Sequence, residues 1–480
     1  MQPGPSAPAE PRFDRLILSN ILEWAQQPER QPLPQFAALP GSQRFPEEEM
    51  AMYWSGDHKI VVTRHPMDDT HTTDISTILG YRNLMCATVA TGPPGHSICT
   101  DLAADERTLS GVIELLDNSP TDGPVAIEAF ASTPQYSRLA TIIAKNSRRP
   151  VIDRMTPDGY LESARRLDSK VLAREYFEAA QRSCPDLRLT RARTVDAGGA
   201  VPDLRRQVRH ALRAVGPVIV KTDFGAGGQA MGIITSRWLL GRKLNRIVPA
   251  GYDGELLIEE FLGTGDEALS VSYNGLVTGD GPAHSLCAGR HILQAGKYYM
   301  GSYLGPGAMP DDCAAKVQSA GEAIGQVAAS IGYRGPLNID FLYRASDGAI
   351  FPLEINPRRS LGASLAEMCI SLFGPGYQKS VSAVALHSVP VHPGITGYAG
   401  LRDALLDRGL FGRETKGLLI LPYMVSSLAI NSNIGLAVLS TDGTPVAAAA
   451  DEISAYLAQP GPMATARTPA LSGRSIPVPR

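Results

Sequence analysis

Two carboxylates and an amide around residue 350 have the types and spacing to bind a divalent cation. Asp340 lies in the run NIDFLY, and Glu354 and Asn356 lie in AIFPLEIN, with a Ser-Asp-Gly turn signal at 346–348 between the runs. If the runs pair as a hairpin, Asp340 lies opposite Glu354, and Asn356 follows on the same face. Opposed carboxylates destabilise a sheet unless a cation lies between them, and Mg²⁺ takes carboxylate and amide oxygens. The spacing therefore predicts a magnesium site.

Strand alternation extends this prediction to the neighbouring residues. Leu353 and Ile355 are expected on the opposite face, towards a core. Pro352 requires an edge strand or a position without a ladder hydrogen bond. Pro357 keeps the preceding Asn356 extended. The alternative is that the carboxylates simply face solvent.

A glycine-rich segment, VIVKTDFGAGGQAMGI (218–233), could bind phosphate. A strand ends near Lys221, and Gly225, Gly227, Gly228 and Gly232 follow. Glycines let backbone N–H groups approach a phosphate, and the lysine adds a positive charge. In a Walker loop the lysine follows the glycines, so the order here argues against a P-loop. An ordinary glycine-rich hairpin beside a strand lysine is the alternative.

The segment GELLIEEFLGTGDEALSVSY (254–273) could contact a nucleoside. An apolar strand ends in Glu259, Glu260, Phe261 and Leu262, and Glu267 follows a short polar connector. Backbone groups at the strand end could hydrogen-bond a purine edge, and a later carboxylate could accept hydrogen bonds from ribose hydroxyls. A charged strand end without a ligand is the alternative.

In this order and spacing the three segments resemble the ATP-grasp superfamily over roughly residues 156–390. The resemblance implies two α+β subdomains that grip ATP, and a further lysine, Lys170 in RRLDSKVLAREYF. It implies that the glycine loop closes over the γ-phosphate. It also implies these contacts: the α- and β-phosphates with Lys170 and Lys221, adenine with Glu259, Glu260 and the backbone around Phe261 and Leu262, ribose with Glu267, and two Mg²⁺ ions with Asp340, Glu354 and Asn356.

Several superfamily members carry an arginine two residues before the hairpin aspartate, where it stabilises the reaction intermediate. This chain has Asn338 at that position. We therefore expect Arg358 or Arg290 to take the catalytic role. Arg358 or Arg359, directly after the metal ligands, could bind the substrate carboxylate in bidentate fashion. Exposed arginines after a turn are the alternative.

The stretch HSLCAGRHILQAGKYYMGSYLGPG (284–307) is expected to be rich in loops. It lies where the superfamily has its substrate loop, and its His, Arg and Tyr residues suit an aromatic or guanidine-bearing acid. The predicted substrate-binding residues are His284, Arg290, Tyr298, Arg358 and Arg359.

The elements that position these residues are predicted from hydrophobic periodicity. Strands and helices alternate over 58–155, which indicates a Rossmann-like parallel α/β domain, but no GxGxxG follows its first strand. RLILSNILEWAQQ (15–27) has helical spacing, GLRDALLDRGLF reads as a helix, and KGLLILPYM, GLAVLS and TPVAAAA read as strands. The predicted units are 1–50 (tail and helix), 51–155 (α/β domain), 156–390 (ATP-grasp), 391–460 (small α+β domain) and 461–480 (flexible tail).

The bulk composition excludes several classes of protein. A net charge of −3 over 480 residues, 44% of them hydrophobic, provides no field that attracts nucleic acid or an anionic membrane. No apolar run reaches the ~18–20 residues of a membrane helix. The first residues lack the pattern of a signal peptide, so a cytoplasmic protein is expected. The six cysteines form no CxxC pair and are expected to be reduced and mostly buried.

The resemblance implies an ADP-forming ligase that phosphorylates a carboxylate and couples it to an amine. Domain order and the C-terminal segment resemble the pheganomycin-type peptide ligases, which join a nonproteinogenic, guanidino-bearing acid to a peptide in antibiotic biosynthesis. A small carboxylic acid and a peptide amine are the expected partners, and a homodimer is one expected assembly. The alternatives are an L-amino-acid ligase making dipeptides, a non-catalytic ATP-binding module and a biotin-dependent carboxylase subunit.

Overall fold

The computed structural model describes residues 12–27, 46–89, 97–196, 201–224, 231–248, 252–263, 268–279, 283–294, 298–411 and 417–459. Its strands are β1 (Arg15–Leu18), β2 (Lys59–Thr63), β3 (Leu84–Thr88), β4 (Val125–Ala129), β5 (Val151–Asp153), β6 (Ala192–Asp196), β7 (Val218–Thr222), β8 (Met231–Ile234), β9 (Glu255–Glu260), β10 (Ala268–Val277), β11 (His284–Gln294), β12 (Tyr298–Leu304), β13 (Gly335–Arg344), β14 (Ala349–Asn356), β15 (Ser382–Pro390), β16 (Leu418–Tyr423) and β17 (Asn433–Ser440).

The α-helices are α1 (Ile21–Ala25), α2 (Asp69–Leu79), α3 (Ile98–Ala104), α4 (Glu106–Asp117), α5 (Pro134–Asn146), α6 (Leu161–Asp168), α7 (Ala173–Gln181), α8 (Val201–Val215), α9 (Leu240–Ile247), α10 (Asp311–Ser330), α11 (Leu361–Phe373), α12 (Gly397–Asp407), α13 (Leu428–Asn431) and α14 (Val446–Ala458). Short 3-10 helices cover Pro46–Tyr53, Asp158–Tyr160, Arg237–Leu239, Tyr377–Lys379 and Val425–Ser427.

The N-terminal domain is a five-stranded parallel sheet with the order β3-β2-β1-β4-β5. This confirms the predicted parallel α/β layer. The helix predicted over 15–27 is wrong at its start, because Arg15–Leu18 is the central strand and only Ile21–Ala25 is helical. The domain therefore includes Arg15 rather than beginning at 51. A four-residue apolar run cannot be assigned by periodicity, since a strand buried on both faces has no alternation.

A four-stranded antiparallel sheet with the order β6-β9-β7-β8 forms the second unit. Helices α8 and α9 pack on it, and buried side chains of both helices and all four strands make one core. Strand β7 carries Lys221, and strand β9 ends at Glu260. This small sheet therefore positions two of the predicted nucleotide-binding segments.

The third unit is an eight-stranded antiparallel sheet with the order β14-β13-β10-β11-β12-β15-β17-β16. Strands β15, β17 and β16 continue the sheet that carries the β13–β14 hairpin, so the predicted 391–460 domain has no sheet of its own. The predicted strand TPVAAAA is wrong, because Val446–Ala458 is a helix. Alanine-rich sequence has high helix propensity, and Pro445 just before Val446 is compatible with a helix start.

The stretch 284–307, expected to be rich in loops, is mainly an antiparallel pair of strands. Strands β11 and β12 pair from Gly289 opposite Leu304 to Gln294 opposite Tyr298. Their alternation decides which side chains reach the cavity described below. The prediction about the cysteines is confirmed: all six are free thiols, and five of them are buried. None of the described helices is long and apolar enough to span a membrane.

A buried histidine gives the fold an acid-sensitive contact. His71 on α2 is 1% exposed, its ring lies 4.7 Å from that of Tyr398, and its Nε2 lies 3.4 Å from the Pro422 carbonyl oxygen. Burial lowers the pKa of His71 from 6.5 to about 4, although the Pro422 carbonyl and nearby aspartates oppose the shift. Between these values the unfolded chain binds a proton that the folded chain does not, so stability falls as the pH decreases through this window.

We expect His71 to remove about 3 kcal/mol from the free energy of unfolding between pH 6.5 and 4, since each pKa unit corresponds to about 1.4 kcal/mol. Urea unfolding of the wild type and of His71→Asn at both pH values measures this contribution. The pH dependence of the variant should be shallower by that amount. Equal pH dependence in the two proteins would show that His71 is not held neutral by the fold.

Candidate functional site

The hairpin β13–β14 brings the predicted metal ligands together. Asp340 pairs with Glu354 and Asn338 pairs with Asn356, which confirms the predicted register. Strand β14 is at the edge of its sheet, as expected from Pro352.

A β-bulge changes the direction of one side chain in this hairpin. The register shifts after Asp340, so Phe341 pairs with Pro352 and Leu353 has no partner residue. A bulge places two residues opposite one. Leu353 consequently lines the same cavity as Glu354, and the prediction that it points to the core is wrong. Ile355 is 1% exposed in the core, as predicted.

One cavity of about 610 Å³ lies where the three sheets meet. Its volume is in the range of small-molecule sites. Apolar and charged side chains share the wall, as expected for a ligand with one apolar and one charged part. The apolar residues include Ile219, Met231, Ile233, Leu262, Ala268, Leu342 and Leu353; the charged residues include Lys170, Lys221, Lys243, Glu259, Glu260, Asp340, Glu354 and Arg358.

Two buried lysines bring positive charge to this wall. Lys170, just after α6, has its Nζ 3.4 Å from Oε2 of Glu354. Lys221 on β7 donates to Oε2 of Glu259 at 2.8 Å. The other oxygen of Glu259 accepts hydrogen bonds from Thr190 and Arg174. The Glu259 carboxylate is therefore fully engaged in holding Lys221, and its predicted contact with adenine would need these bonds to break.

The facing carboxylates have opposite protonation tendencies. Burial, and then the charge of Glu354, raises the pKa of Asp340 well above its usual value. Burial alone would also raise the pKa of Glu354, but the charges of Lys170 and Lys221, the hydrogen bond with Asp340 and the charge of Arg358 together outweigh burial and lower it to about 2. Two facing carboxylates in a largely enclosed site, here 19% and 27% exposed, do not readily both ionise without a cation or a shared proton. The pair is therefore stabilised by a cation or a proton held between its members.

The donor set fits Mg²⁺. Asp340 Oδ1 is buried and, within the described residues, has no hydrogen-bond partner. Asn356 Nδ2 donates to Asn338 Oδ1 at 2.9 Å and to Asp340 Oδ2 at 3.2 Å, so the amide would turn its oxygen towards the carboxylates to join them around a cation. Across the described ranges no three His, Cys, Asp or Glu side chains form a metal cluster. Mg²⁺ commonly takes one or two carboxylates and completes its coordination with water and substrate phosphates.

Arg358 lies beside the predicted metal ligand Asn356. Its Nη2 donates to Oδ1 of Asn356 at 2.7 Å, and its guanidinium lies 4.4 Å from the ring centroid of Trp24. Burial lowers the pKa of Arg358, while the carboxylates of Glu354 and Asp340 oppose the change. Arginine remains charged under these conditions. The residue thus supplies a fixed cation at the cavity wall.

Arg359 has a different environment from the one predicted. It is 4% exposed, donates to Oε2 of Glu128 at 2.7 Å and to a carboxylate oxygen of Glu367, and lies over the ring of Trp54. Although it borders the cavity, its guanidinium is committed to two buried carboxylates. This arrangement does not favour the predicted binding of a substrate carboxylate.

Three other predicted residues lie outside the cavity wall. Arg290 and His284 on β11 are exposed, and Tyr298 at the start of β12 is 48% exposed. Their neighbours His291 and Tyr299 line the cavity instead, because successive residues of a strand point to opposite faces. The sequence prediction did point to this region, and correct strand alternation would have selected the two residues that line the cavity.

His291 and Tyr299 form a small polar group in the cavity. The Nδ1 of His291 lies 3.0 Å from the Ser270 hydroxyl, and its ring lies 5.2 Å from that of Tyr299 in an edge arrangement. The Tyr299 hydroxyl is 2.7 Å from that of Ser302. These residues extend the polar wall from β10 across β11 to β12.

The strand end at residues 260–263 borders the cavity as predicted for a base-binding segment. Two of its N–H groups are already paired: Glu260 donates to the Arg191 carbonyl at 2.8 Å, and Phe261 donates to the Pro217 carbonyl at 3.0 Å. A contact between this segment and a base would therefore involve Leu262 rather than the Phe261 N–H. The predicted ligands Gly225, Gly227, Gly228 and Glu267 lie outside the described residues.

Known proteins share parts of this sequence. The D-alanine–D-alanine ligase of Delftia acidovorans is 32% identical over 183 residues, which are 36% of this chain and 53% of the ligase. The carbamoyl phosphate synthase large chain of Pseudomonas aeruginosa is 26% identical over 163 residues, 33% of this chain and 14% of that protein. The chain thus covers only a small part of the carbamoyl phosphate synthases that it matches. No protein-family model matches the chain.

Solved structures resemble nearly the whole chain. An N5-carboxyaminoimidazole ribonucleotide synthetase in complex with ADP has a TM-score of 0.51 at 11% identity, covering 93% of this chain and 96% of that one. The biotin carboxylase domain of 2-oxoglutarate carboxylase from Hydrogenobacter thermophilus, solved as a dimer with MgADP and bicarbonate, has a TM-score of 0.50 at 12% identity, covering 90% and 86%. At 11% and 12% sequence identity, the similarity to these solved structures shows only that the fold is shared.

Proposed function

From the ATP-grasp fold of this chain, we propose that the protein is an ATP-dependent, ADP-forming carboxylate–amine ligase. One observation carries the proposal: Asp340 lies directly opposite Glu354 in a cavity that also holds two buried lysines. Opposed carboxylates beside two buried lysines fit a metal–triphosphate complex better than a purely structural role, because a structural pair would gain nothing from the repulsion.

Each part of the cavity has a role in this proposal. The apolar residues around Leu353 and Leu342 would enclose adenine, and Lys170 and Lys221 would bind phosphate oxygens. Asp340, Glu354 and Asn356 would hold Mg²⁺, which when bound neutralises phosphate charge and polarises the phosphoryl group. The fixed positions of these side chains provide orientation before the reaction, which is the main contribution of a protein to phosphoryl transfer.

The reaction would have two steps. A carboxylate oxygen of the acid attacks the γ-phosphorus of ATP, the bond to the bridging oxygen of the β-phosphate breaks, and ADP leaves. A neutral amine then attacks the acyl phosphate carbon, phosphate leaves with the electron pair of the broken bond, and the nitrogen loses a proton. Arg358 would stabilise the negative oxygen of the tetrahedral intermediate.

We further propose that the acid resembles a nonproteinogenic amino acid and that the amine belongs to a peptide, as in natural-product biosynthesis. The length of the cavity supports this proposal. Its wall runs from Glu354 on β14 across the sheet to His387 on β15, five strand steps away. At about 4.8 Å a step this strip is about 24 Å long, which leaves space beyond a nucleotide for an elongated second substrate.

We expect purified protein with MgATP to release ADP at about 1 s⁻¹ or faster when a suitable acid and a peptide are both present. A coupled ADP assay over paired acids and acceptors measures this, and mass spectrometry of the product identifies the amide. Stimulation by single amino acids but not by peptides would indicate a dipeptide ligase. ADP release that depends on bicarbonate without an amine would indicate a carboxylase, and nucleotide binding without turnover would contradict the ligase proposal.

A further inference from the structure

We propose that Glu128, on strand β4 of the N-terminal parallel sheet, is a positioning residue for Arg358. Through its ion pair with Arg359, Glu128 fixes the segment that presents the Arg358 guanidinium to Asn356 and the facing carboxylates. This inference rests on the proposed function, because it assigns a role within that reaction. It also assigns the N-terminal domain a direct part in building the site.

The Arg359 side chain is held between two domains. Its Nη2 donates to Glu128 Oε2 at 2.7 Å and to the Ser55 hydroxyl at 3.1 Å, and its Nη1 bonds Glu367 on α11. The side chains of Glu128 and Arg359 are each 4% exposed. Without Glu128, the Nη2 group of Arg359 would keep only the Ser55 hydroxyl and Glu367 would be its one remaining carboxylate, so the balance that holds Arg359 between the two domains depends on Glu128.

The backbone on both sides repeats this connection. The Arg359 N–H donates to the Phe130 carbonyl at 3.0 Å, and Arg358 forms an antiparallel bridge with Ala131. Thus the chain that continues from β4 runs alongside the chain that leaves β14. Glu128 anchors this contact through a side chain, and Phe130 and Ala131 anchor it through the backbone.

An aromatic ring lies against the guanidinium of each arginine. The guanidinium of Arg358 lies 4.4 Å from the Trp24 ring, and that of Arg359 lies 4.8 Å from the Trp54 ring. Phe130 lies between the two tryptophans, with ring centroids 5.7 Å from Trp24 and 6.3 Å from Trp54. A shift of Arg359 over Trp54 would therefore be transmitted to the support of Arg358, because the three rings pack as one unit.

The test compares Glu128→Gln with a matched control in the same domain. Asp101 on α3 forms a buried ion pair with Arg64 at 3.5 Å, with side-chain exposures of 1% and 7%. Asp101→Asn therefore removes a carboxylate of similar burial at a different place. We expect both variants to lose thermal stability, and both are assayed well below their Tm.

In Glu128→Gln we expect kcat for ADP release to fall about tenfold or more with the KM for MgATP within about twofold, because small displacements of a catalytic group have such costs. Asp101→Asn should keep kcat within about twofold. Glu128→Asp, which keeps the charge, should recover part of the loss. Equal kcat in Glu128→Gln and Asp101→Asn would overturn the proposal.

A second measurement does not depend on turnover. The rate at which phenylglyoxal modifies Arg358, followed by peptide mass spectrometry, should rise several-fold in Glu128→Gln and stay unchanged in Asp101→Asn. An unchanged rate in Glu128→Gln would overturn the positioning role even if the wild-type protein releases no ADP. A faster rate in a chain without ADP release would contradict the proposed ligase activity and support the positioning of Arg358.

Discussion

Replacing Glu354 by alanine is expected to reduce ADP release by roughly 10³-fold or more while leaving the fold intact. The Glu354 carboxylate faces Asp340 across the hairpin and lies 3.4 Å from Lys170. Its loss removes one of the two proposed metal carboxylates and the counter-ion of a buried lysine. Charge stabilisation by a metal ion contributes several kcal/mol to the barrier, and each ~1.4 kcal/mol corresponds to a factor of ten. The coupled ADP assay at several Mg²⁺ concentrations measures the effect.

Asp347→Ala is the matched control for this experiment. Asp347 lies at the turn of the same hairpin, where it accepts hydrogen bonds from Arg344 and pairs with Arg188. We expect its loss to cost some stability without a large change in turnover. Activity close to that of the wild type in Glu354→Ala would remove the metal assignment, and equal losses in the two variants would indicate damage to the hairpin rather than to a ligand.

Replacing Arg358 by alanine is expected to lower kcat by about 10²- to 10³-fold, the usual cost of losing a fixed donor to a developing oxyanion. The affinity for MgADP should change little, because Lys170 and Lys221 are the proposed phosphate ligands. Arg358→Lys should recover only part of the loss, since an ammonium group lacks the planar fork that bonds Asn356. Steady-state kinetics and equilibrium binding of MgADP distinguish these contributions.

Arg290 provides the control for this prediction. The sequence offered Arg290 and Arg358 as equal candidates for the catalytic arginine, and the structure separates them: Arg358 lines the cavity, whereas Arg290 is exposed on β11. Arg290→Ala should therefore keep nearly full activity. A large loss in Arg290→Ala together with a small one in Arg358→Ala would reverse the assignment.

The site could be predicted from sequence where spacing alone determines geometry. A count about Asp347 puts Asp340 opposite Glu354, which is the observed pair, although the pairs nearer the turn, such as Arg344 with Ala349, follow a register that differs by one residue. The bulge at Leu353 could not be counted, because nothing in the residue types distinguishes it from a regular position. At Arg290 and Tyr298 the predicted residue is one position away from the residue that lines the cavity. The reason is similar, because the segment was expected to be a loop, and a loop has no strand alternation that would separate cavity-facing from exposed side chains.

Contacts between segments that are far apart in the sequence could not be predicted by counting residues. Adjacent arginines look alike in the sequence, yet Arg358 bonds the proposed metal ligand Asn356 and Arg359 is buried between Glu128 and Glu367. Only the packing of the N-terminal domain against α11 decides between them. The strand Arg15–Leu18 was missed for a related reason, because its place at the centre of the sheet depends on partners more than forty and a hundred residues away.

The pair between Glu128 and Arg359 also imposes an order on the synthesis of the protein. The two residues are 231 positions apart, so at about 5–20 residues per second a ribosome makes the glutamate roughly 10 to 50 s before its partner. During that interval the Glu128 carboxylate can already bond Arg154 and Ser55, which belong to the same N-terminal domain. The domain can form its sheet while the chain is still growing, but its final attachment, and with it the support of Arg358, has to follow translation of the β13–β14 hairpin.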